Sequence, residues 1–456
     1  MLKNFLSFLL FSVSVSFNGI CQDSLQNDKV WTLEECINYA KDNSLLIQRA
    51  LLTRESNKVN YDQSKAALLP SINGSASTSY NFGSRRVANT DLVATQNAQT
   101  IDVGLGASWN LFGGFQTQNN IKSSRAYYEA SLAEINQTEN NLSLNVASAY
   151  LDIIFNKELL KAAQLQLQNS QEQIERTEKL VKAGALPESN LLEVKAQVAS
   201  EELNVTNAEN ALDIAKLNLQ QLLLLPATTD FDIVVPEIIG VDSIPVGMTP
   251  SELYKISLTT QPNIKSAELY IKGAHYGELA AKGGRYPRIG LSAGLGSNHY
   301  RFITDSTNFM FDEFRKDING NFGQNIALQL SIPIFNNWQV RTQIQNSIIE
   351  RKRAELNSIE TKNTLRLNVE QAYTNAKAAG KRLNSARNQV VALKEAFRVN
   401  EQRFNLGAIN SLDYTLAKNN LNKAESDFIR AKYDYVFRLK IIDFYQNKPL
   451  TFSSGK

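Results

Sequence analysis

The sequence predicts a mainly α-helical chain with a small β part, built as two tandem repeats, each of long antiparallel helices plus a β-hairpin. Three observations predict this. The same landmarks return in the same order along the chain. Two long stretches, 116–182 and 339–405, hold no proline and a single glycine, Gly380. Segments of alternating apolar and small polar residues precede each of those stretches.

The repeat organises everything else. Thr32-Leu33-Glu34-Glu35 is matched by Thr249-Pro250-Ser251-Glu252, Ala50 by Ala267 and Pro70 by Pro287, all at one offset of 217 (249 less 32). Phe112 is matched by Phe335 and Gly184 by Gly407 at an offset of 223 (335 less 112). The change of register is an insertion between the proline and the phenylalanine. The expected organisation is a signal peptide at 1–22, a first repeat at 30–225 with its hairpin at 70–113, and an equatorial linker at 226–248. A second repeat follows at 249–447 with its hairpin at 287–336, then a tail at 448–456.

The long stretches are rich in Ala, Gln, Glu, Leu and Lys, which favour helix. At 1.5 Å per residue, 116–182 makes a rod of roughly 100 Å. Return helices are expected over 187–225 and 409–446, and leading helices over about 45–68 and 262–284. Stacked end to end, a leading and a return helix nearly match one long helix, which places the linker beside its midpoint. Pro226, Pro236 and Pro245 keep that linker out of the helices.

The strands carry the functional reading. Ile101, Val103, Leu105, Ala107, Trp109 and Leu111 alternate with Asp102, Gly104, Gly106, Ser108 and Asn110. Residues 71–82 alternate more weakly. In the second repeat, Ile289, Leu291, Ala293 and Leu295 alternate with glycine and serine, and Ile326 to Ile334 keeps the same period. Period two gives each strand one apolar and one polar face. A soluble sheet with its apolar face on a core satisfies that pattern too. Three further features favour a membrane. Lys3 and the apolar run Phe5–Phe17 read as a secretory signal, too short to span a bilayer. The strands are long enough to cross at a tilt. Aromatics gather at strand ends, with Trp109, Phe112, Phe335 and Trp338 as the expected membrane girdle, alongside Phe115, Tyr286, Tyr300 and Phe302. After the signal no apolar stretch reaches transmembrane-helix length, so any membrane entry is by β-structure. Four strands do not close a barrel, and open edges in lipid cost several kcal/mol per bare backbone group. The chain is therefore expected to oligomerise, with three or more copies.

Composition excludes other classes. The 48 basic and 45 acidic residues leave a net charge of +3, too balanced for a nucleic-acid surface. Cys21 lies at the cleavage region, but Asn18, Gly19 and Ile20 depart from a lipoprotein signal. Cys36 falls in an apolar helical pattern, as a small buried residue does. His275 and His299 are the only histidines and belong to no catalytic or metal constellation. The three methionines argue against a soft-metal path, and no GxxxxGK[ST] binds a nucleotide. The chain is read as no enzyme, with no cofactor and no bound metal.

The residues above resemble the TolC-like outer-membrane efflux factor family over about 30–447. The carriers are Trp31-Thr32-Leu33-Glu34-Glu35-Cys36-Ile37 with Ala40 and Asn43, Leu69-Pro70, and Leu111-Phe112-Gly113-Gly114. The most specific is Arg403-Phe404-Asn405-Leu406-Gly407-Ala408-Ile409-Asn410-Ser411-Leu412-Asp413, with a weaker copy from Leu180 to Leu192. The resemblance implies a homotrimer, with a 12-stranded β-barrel in outer-membrane lipid above a trimeric α-helical tunnel in the periplasm of a Gram-negative-type bacterium. It implies a periplasmic adaptor protein and an energised inner-membrane transporter of RND or ABC type, served for efflux or type I secretion. It also implies roles by position. Asp413 matches an acidic constriction residue, whereas the second acidic place holds Leu416. Asn190 stands at the gate carboxylate of the first repeat. Ile409 replaces a latch arginine and Phe404 a latch tyrosine, so the tip has fewer charge-assisted contacts than the family pattern. Gly184, Ala185, Leu186, Gly407 and Ala408, flanked by Ala183 and Leu406, are the expected adaptor-docking tips. A helix-terminating αL residue accounts equally for the two glycines, and an ordinary first-turn acid for Asp413. The rival reading is an exported structural coiled-coil protein of the cell envelope without transport activity. It requires sustained heptads, which the midpoint breaks and hairpins interrupt.

Overall fold

The structure, a computed structural model, describes residues 30–86, 93–95, 97–236, 247–303 and 311–450. The signal segment with Cys21, linker residues 237–246 and the last residues of the tail lie outside the described residues. In chain order the elements are β1 (Val30–Trp31), α1 (Leu33–Asn43), α2 (Leu45–Ala66), β2 (Ser71–Asn81), β3 (Ser84–Arg86), β4 (Val93–Thr95), β5 (Ala98–Gly113), α3 (Gln116–Lys182) and α4 (Glu188–Leu223). The second half has β6 (Asp232–Ile233), α5 (Pro250–Thr260), α6 (Pro262–Gly283), β7 (Arg288–Phe302), α7 (Phe311–Gly320), β8 (Gly323–Ser331), α8 (Gln339–Asn405) and α9 (Ser411–Tyr445).

The halves begin alike because their sequences cap alike. Thr32 and Glu35 form a capping box at α1, and Thr249 and Glu252 form the same box at α5. Each short helix then breaks. Ser44 ends α1 and accepts a hydrogen bond from the Leu46 N–H to start α2; Gln261 ends α5 and Pro262 opens α6. The long helices α3 and α8 each run for 67 residues. No helix among the described residues is long and apolar enough to cross a membrane.

The largest core lies at the middle of α3. Cys36 and Ala40 of α1, Val146, Tyr150 and Ile154 of α3, Leu219 and Leu223 of α4, and Phe231 and Ile233 of the linker pack there. Large apolar side chains buried this fully contribute about 1.5–3 kcal/mol each. β1 and β6 pair in parallel over it, and the Tyr150 hydroxyl donates to the Trp31 carbonyl at 3.2 Å. Burial pushes the Cys36 thiol up to about 12, as suits an inert packing residue. A second core joins Leu253 and Ile264 to Leu365, Val369 and Ile442.

β2, β5, β7 and β8 form one antiparallel sheet in the order β2-β5-β7-β8. Each half supplies one hairpin, and β5 and β7 join them. Two details depart from the alternation. A bulge skips Leu111 and sets Phe112 opposite Ile289, so Phe112 rather than Leu111 continues the apolar face. β8 ends at Ser331, not at Ile334. Pro333, which has no N–H for the ladder, lies just beyond. The helix α7 was not anticipated. It folds back on β7, where the Ser297 hydroxyl donates to the Ile318 carbonyl at 2.6 Å and His299 Nδ1 meets Asp317 Oδ2 at 2.8 Å.

Sheet and helices meet at tight junctions. Gly114 (φ 63°) and Phe115 (φ 63°) turn β5 into α3, and Asn337 (φ 48°) and Trp338 (φ 65°) lead into α8. Left-handed backbone is uncommon for such side chains, and both junctions hold it. Nearby, Glu278 of α6 is 5% exposed. Its carboxylate pairs with Lys282 at 2.6 Å and Arg351 of α8 at 2.7 Å. The Lys282 hydrogen bond, with help from Arg351 and against burial, holds its pKa below the usual carboxylate range. A depressed acid adds stability that is present above its unfolded pKa and is lost as pH falls through the folded value. Glu278→Gln is therefore expected to lower stability by about 1–2 kcal/mol at neutral pH, since both cations rehydrate in part. The difference from wild type is expected to shrink as pH falls below the usual carboxylate range and through the depressed folded value. Thermal melts in detergent across that range measure it.

Candidate functional site: two sheet faces and two helical tips

The strand register puts the apolar residues on one side of the sheet. Ile72 and Ala76 on β2 align with Ala107 and Val103 on β5; Leu291 and Ala293 on β7 align with Leu328 and Ile326 on β8. This face is open to its surroundings, with Ile326 80% and Ile72 72% exposed. An apolar surface so extended marks contact with lipid or protein. From Ile101 to Phe112 it runs about 33 Å along the strand, which at a barrel tilt of about 40° covers an apolar band of about 25 Å. A polar belt ends it on the far side from the helices. There Arg301 Nε donates to Gln99 Oε1 at 2.7 Å, and Gln99 Nε2 donates to the Tyr80 hydroxyl at 2.9 Å. The opposite face carries Ser71, Asn73, Ser75 and Ser77 on β2, glycines and serines on β5 and β7, and Asn325, Ala327 and Gln329 on β8.

At the other end of the molecule the helix pairs α3/α4 and α8/α9 turn at glycines in left-handed conformation, Gly184 (φ 72°) and Gly407 (φ 69°). The Ala185 N–H reaches back to the Leu180 carbonyl at 2.9 Å, and the Ala408 N–H to the Arg403 carbonyl at 2.8 Å. These bonds satisfy carbonyls that the helix end leaves bare. Asn410 caps α9 by accepting from the Asp413 N–H at 2.8 Å. Pro187 precedes α4 without a side-chain cap.

Both ends of this geometry belong to one known architecture. A profile of outer membrane efflux proteins matches residues 36–223 and, a second time, residues 253–440. The chain belongs to the outer membrane efflux protein family. Outer membrane efflux protein BepC of Brucella suis is 23% identical over 383 residues, covering 82% of this chain and 75% of that protein. The fold matches crystal structures of CusC with a TM-score of 0.76 at 19% identity, over 93% of this chain and 96% of that one. It matches the CmeC outer membrane channel of Campylobacter jejuni with a TM-score of 0.74 at 18% identity, over 92% and 87%. At such identities the likeness is one of fold.

Within this efflux-protein fold the expected site residues fall into three groups. Gly184, Ala185, Leu186, Gly407 and Ala408 do form the tips, and Leu406 beside them is 84% exposed. Of the four residues expected at a constriction, Phe404 packs inside its own hairpin, its ring stacked on Tyr414 at 4.7 Å. Burial, with Glu401 adding, pushes the Tyr414 phenol up to about 12. Asp413 precedes Tyr414 in the first turn of α9, and Ile409 lies in the turn between α8 and α9. Across the other tip the Ser189 hydroxyl donates to Asn190 Oδ1 at 3.5 Å. Of the girdle residues, Trp109 donates its indole N–H to the Leu68 carbonyl at 2.7 Å, and Phe112 packs edge-on against Phe115 at 5.4 Å. Phe335 and Trp338 lie beyond β8, in the turn to α8, with Arg341 over the Trp338 ring at 4.1 Å. All four therefore ring the helix-side end of the sheet. Tyr300 and Phe302 fall on the small-residue face by alternation, opposite Thr100 and Ala98.

Sequence reading missed a buried polar layer where the two helix pairs touch. Lys418 of α9 is 6% exposed and donates to the Ser170 hydroxyl of α3 at 2.7 Å. Beside it Glu201 of α4, 2% exposed, accepts from Gln197 at 2.8 Å and Gln166 at 3.1 Å. Burial pulls the Lys418 pKa down, against the pull of Glu201 and Glu401. The signal was the stripe Tyr414, Lys418, Leu421, which puts a lysine on the packed face of α9. No group of three or more His, Cys, Asp or Glu among the described residues is placed to hold a metal.

Proposed function

We propose that this chain is the outer-membrane exit duct of a tripartite efflux or type I secretion assembly. It passively conducts what an inner-membrane transporter and a periplasmic adaptor deliver. The observation that carries this reading is the four-stranded sheet with one lipophilic face and two unpaired edges, β2 and β8, in a chain of this family. Three copies placed edge to edge make twelve strands, leave no bare ladder in lipid, and put the small polar residues around water. The long helix pairs then form the tunnel wall, with the tips at Gly184 and Gly407 offered to the adaptor. Energy comes from the inner-membrane partner, of RND or ABC type.

Two measurements test this. Protein extracted in detergent is expected to sediment as a trimer and to conduct ions in planar bilayers. A water-soluble monomer, stable without detergent, would favour the structural coiled-coil reading instead. Cross-linking in cells through cysteines placed at Ala185 and Ala408 is expected to capture an adaptor. The partner so identified separates small-molecule efflux from protein secretion.

Asp413 is assigned to the tip constriction, as the first-turn acid of α9. Asp413→Ala is expected to weaken block by multivalent cations added on the tip side by about tenfold, as loss of one charge-assisted contact per subunit implies. Unchanged block would remove Asp413 from the constriction.

A further inference from the structure

The small-residue face of the sheet carries only two charged side chains among its described residues, and they sit at opposite ends. Along β5 the face shows Thr100, Asp102, Gly104, Gly106 and Ser108. On β7 it shows Arg288, then Gly290, Ser292, Gly294, Gly296 and Asn298. β2 and β8 add only serine, asparagine, glutamine, alanine and glycine. Asp102 stands between Ser77 and Asn298 in register, and Arg288 between Gly113 and Ser331. Both are exposed. Neither has an ion-pair partner among the described residues, and the neighbours of both are neutral. Charges elsewhere on the sheet are tied up on the other face, as Arg301 is by Gln99.

Asp102 is level with Asn298, so Asn298–Arg288 measures the gap: about 33 Å along the strand. The Debye length is about 8 Å at physiological salt and about 30 Å at 0.01 M. The two positions therefore act separately in the cell and overlap only in dilute salt. Rings of fixed charge in a low-dielectric wall raise the local concentration of the opposite ion. An acidic ring in series with a basic ring favours cations at one end and anions at the other, so current flows more easily in one direction.

We propose that Asp102 and Arg288 form two rings of opposite charge at the outer and tunnel ends of the barrel lumen, making the barrel a charge filter that rectifies ion flow. This rests on the assembled-channel reading above. The acidic ring lies at the outer end, where it retards anions entering from outside. The basic ring lies where the tunnel delivers its cargo, where it draws anionic groups inward.

The test compares wild type, Asp102→Asn, Arg288→Gln and the double variant in planar bilayers, at 10 mM and 1 M KCl. At 10 mM, Asp102→Asn is expected to lower the cation-to-anion permeability ratio by about twofold or more, and Arg288→Gln to raise it similarly. The double variant is expected to lose the difference in current between positive and negative voltage. All differences are expected to vanish at 1 M, where the Debye length is about 3 Å. Variants that conduct with wild-type reversal potential and rectification at 10 mM overturn the proposal. Loss of conduction in the wild type counts against the channel reading instead. Asp102→Cys modified after assembly guards against misfolding. A cationic thiol reagent and an anionic one are expected to shift the reversal potential in opposite directions, and equal responses overturn the assignment.

Discussion

Gly114→Ala is expected to lose about 2–5 kcal/mol of stability, enough to lower accumulation of the assembled protein sharply. Two costs add. Gly114 has φ 63°, and a left-handed backbone costs an L-residue about 1–2 kcal/mol. The new methyl would also overlap the Gly283 carbonyl oxygen and stand 2.9 Å from Cβ of Tyr286. Overpacking against backbone costs a further 1–3 kcal/mol or so. The contact is mutual, because a Cβ on Gly283 would overlap the Gly114 carbonyl and come within 2.6 Å of Gln116 Cγ. Here the junction between β5 and α3 lies against the junction between α6 and β7, so neither can move aside. Gly184→Ala is the control. Its φ is 72°, but nothing lies within 4 Å of the added atom. Only the backbone cost of about 1–2 kcal/mol remains there. Equal losses at the two positions would show that conformation alone, not close approach, constrains Gly114. Thermal melts in detergent and the yield of assembled protein measure both.

The second large effect separates the two faces of the sheet. Ile326→Arg is expected to block membrane assembly, whereas Asn325→Arg, one residue away, is expected to assemble. Ile326 aligns with Ala293 on the apolar side and Asn325 with Gly294 on the other. An arginine on the lipid side near the membrane midplane costs about 2–4 kcal/mol, and that cost is repeated in every subunit. On the lumen side the guanidinium stays hydrated, and the change appears in conductance rather than in assembly. If both variants assembled equally, the apolar face would not be facing lipid.

The helices were legible to within a few residues, because proline and glycine mark their ends and almost nothing interrupts their interiors. Thr32 with Glu35 and Thr249 with Glu252 were read only as repeat landmarks, and the structure shows them to be capping boxes that start α1 and α5. The leading helices were expected from about 45 and 262, and the structure starts α2 at Leu45 and α6 at Pro262, a proline that disfavours helix at Gln261 before it. The strands were legible from their period, but alternation does not foresee an extra residue, so the bulge at Leu111 was read as regular strand. α7 went unseen because its few apolar positions, Phe311, Phe314 and Ile318, make too short a pattern to tell from a loop. Among the functional residues, the turn glycines were readable from backbone chemistry alone. Phe404 was not, since its partner Tyr414 lies across a helical turn whose geometry only the fold supplies. Lys418 was hidden for the opposite reason: long charged side chains are expected at the surface, and its neighbour Ser170 is 248 residues distant in sequence.

The order β2-β5-β7-β8 has a bearing on biogenesis. A subunit crossing the periplasm alone carries adhesive rims on both flanks. Joining two subunits hides one rim from each but leaves the pair as sticky as before. In the ring proposed above, stickiness disappears only at the last addition, which makes incomplete ensembles the aggregation-prone species.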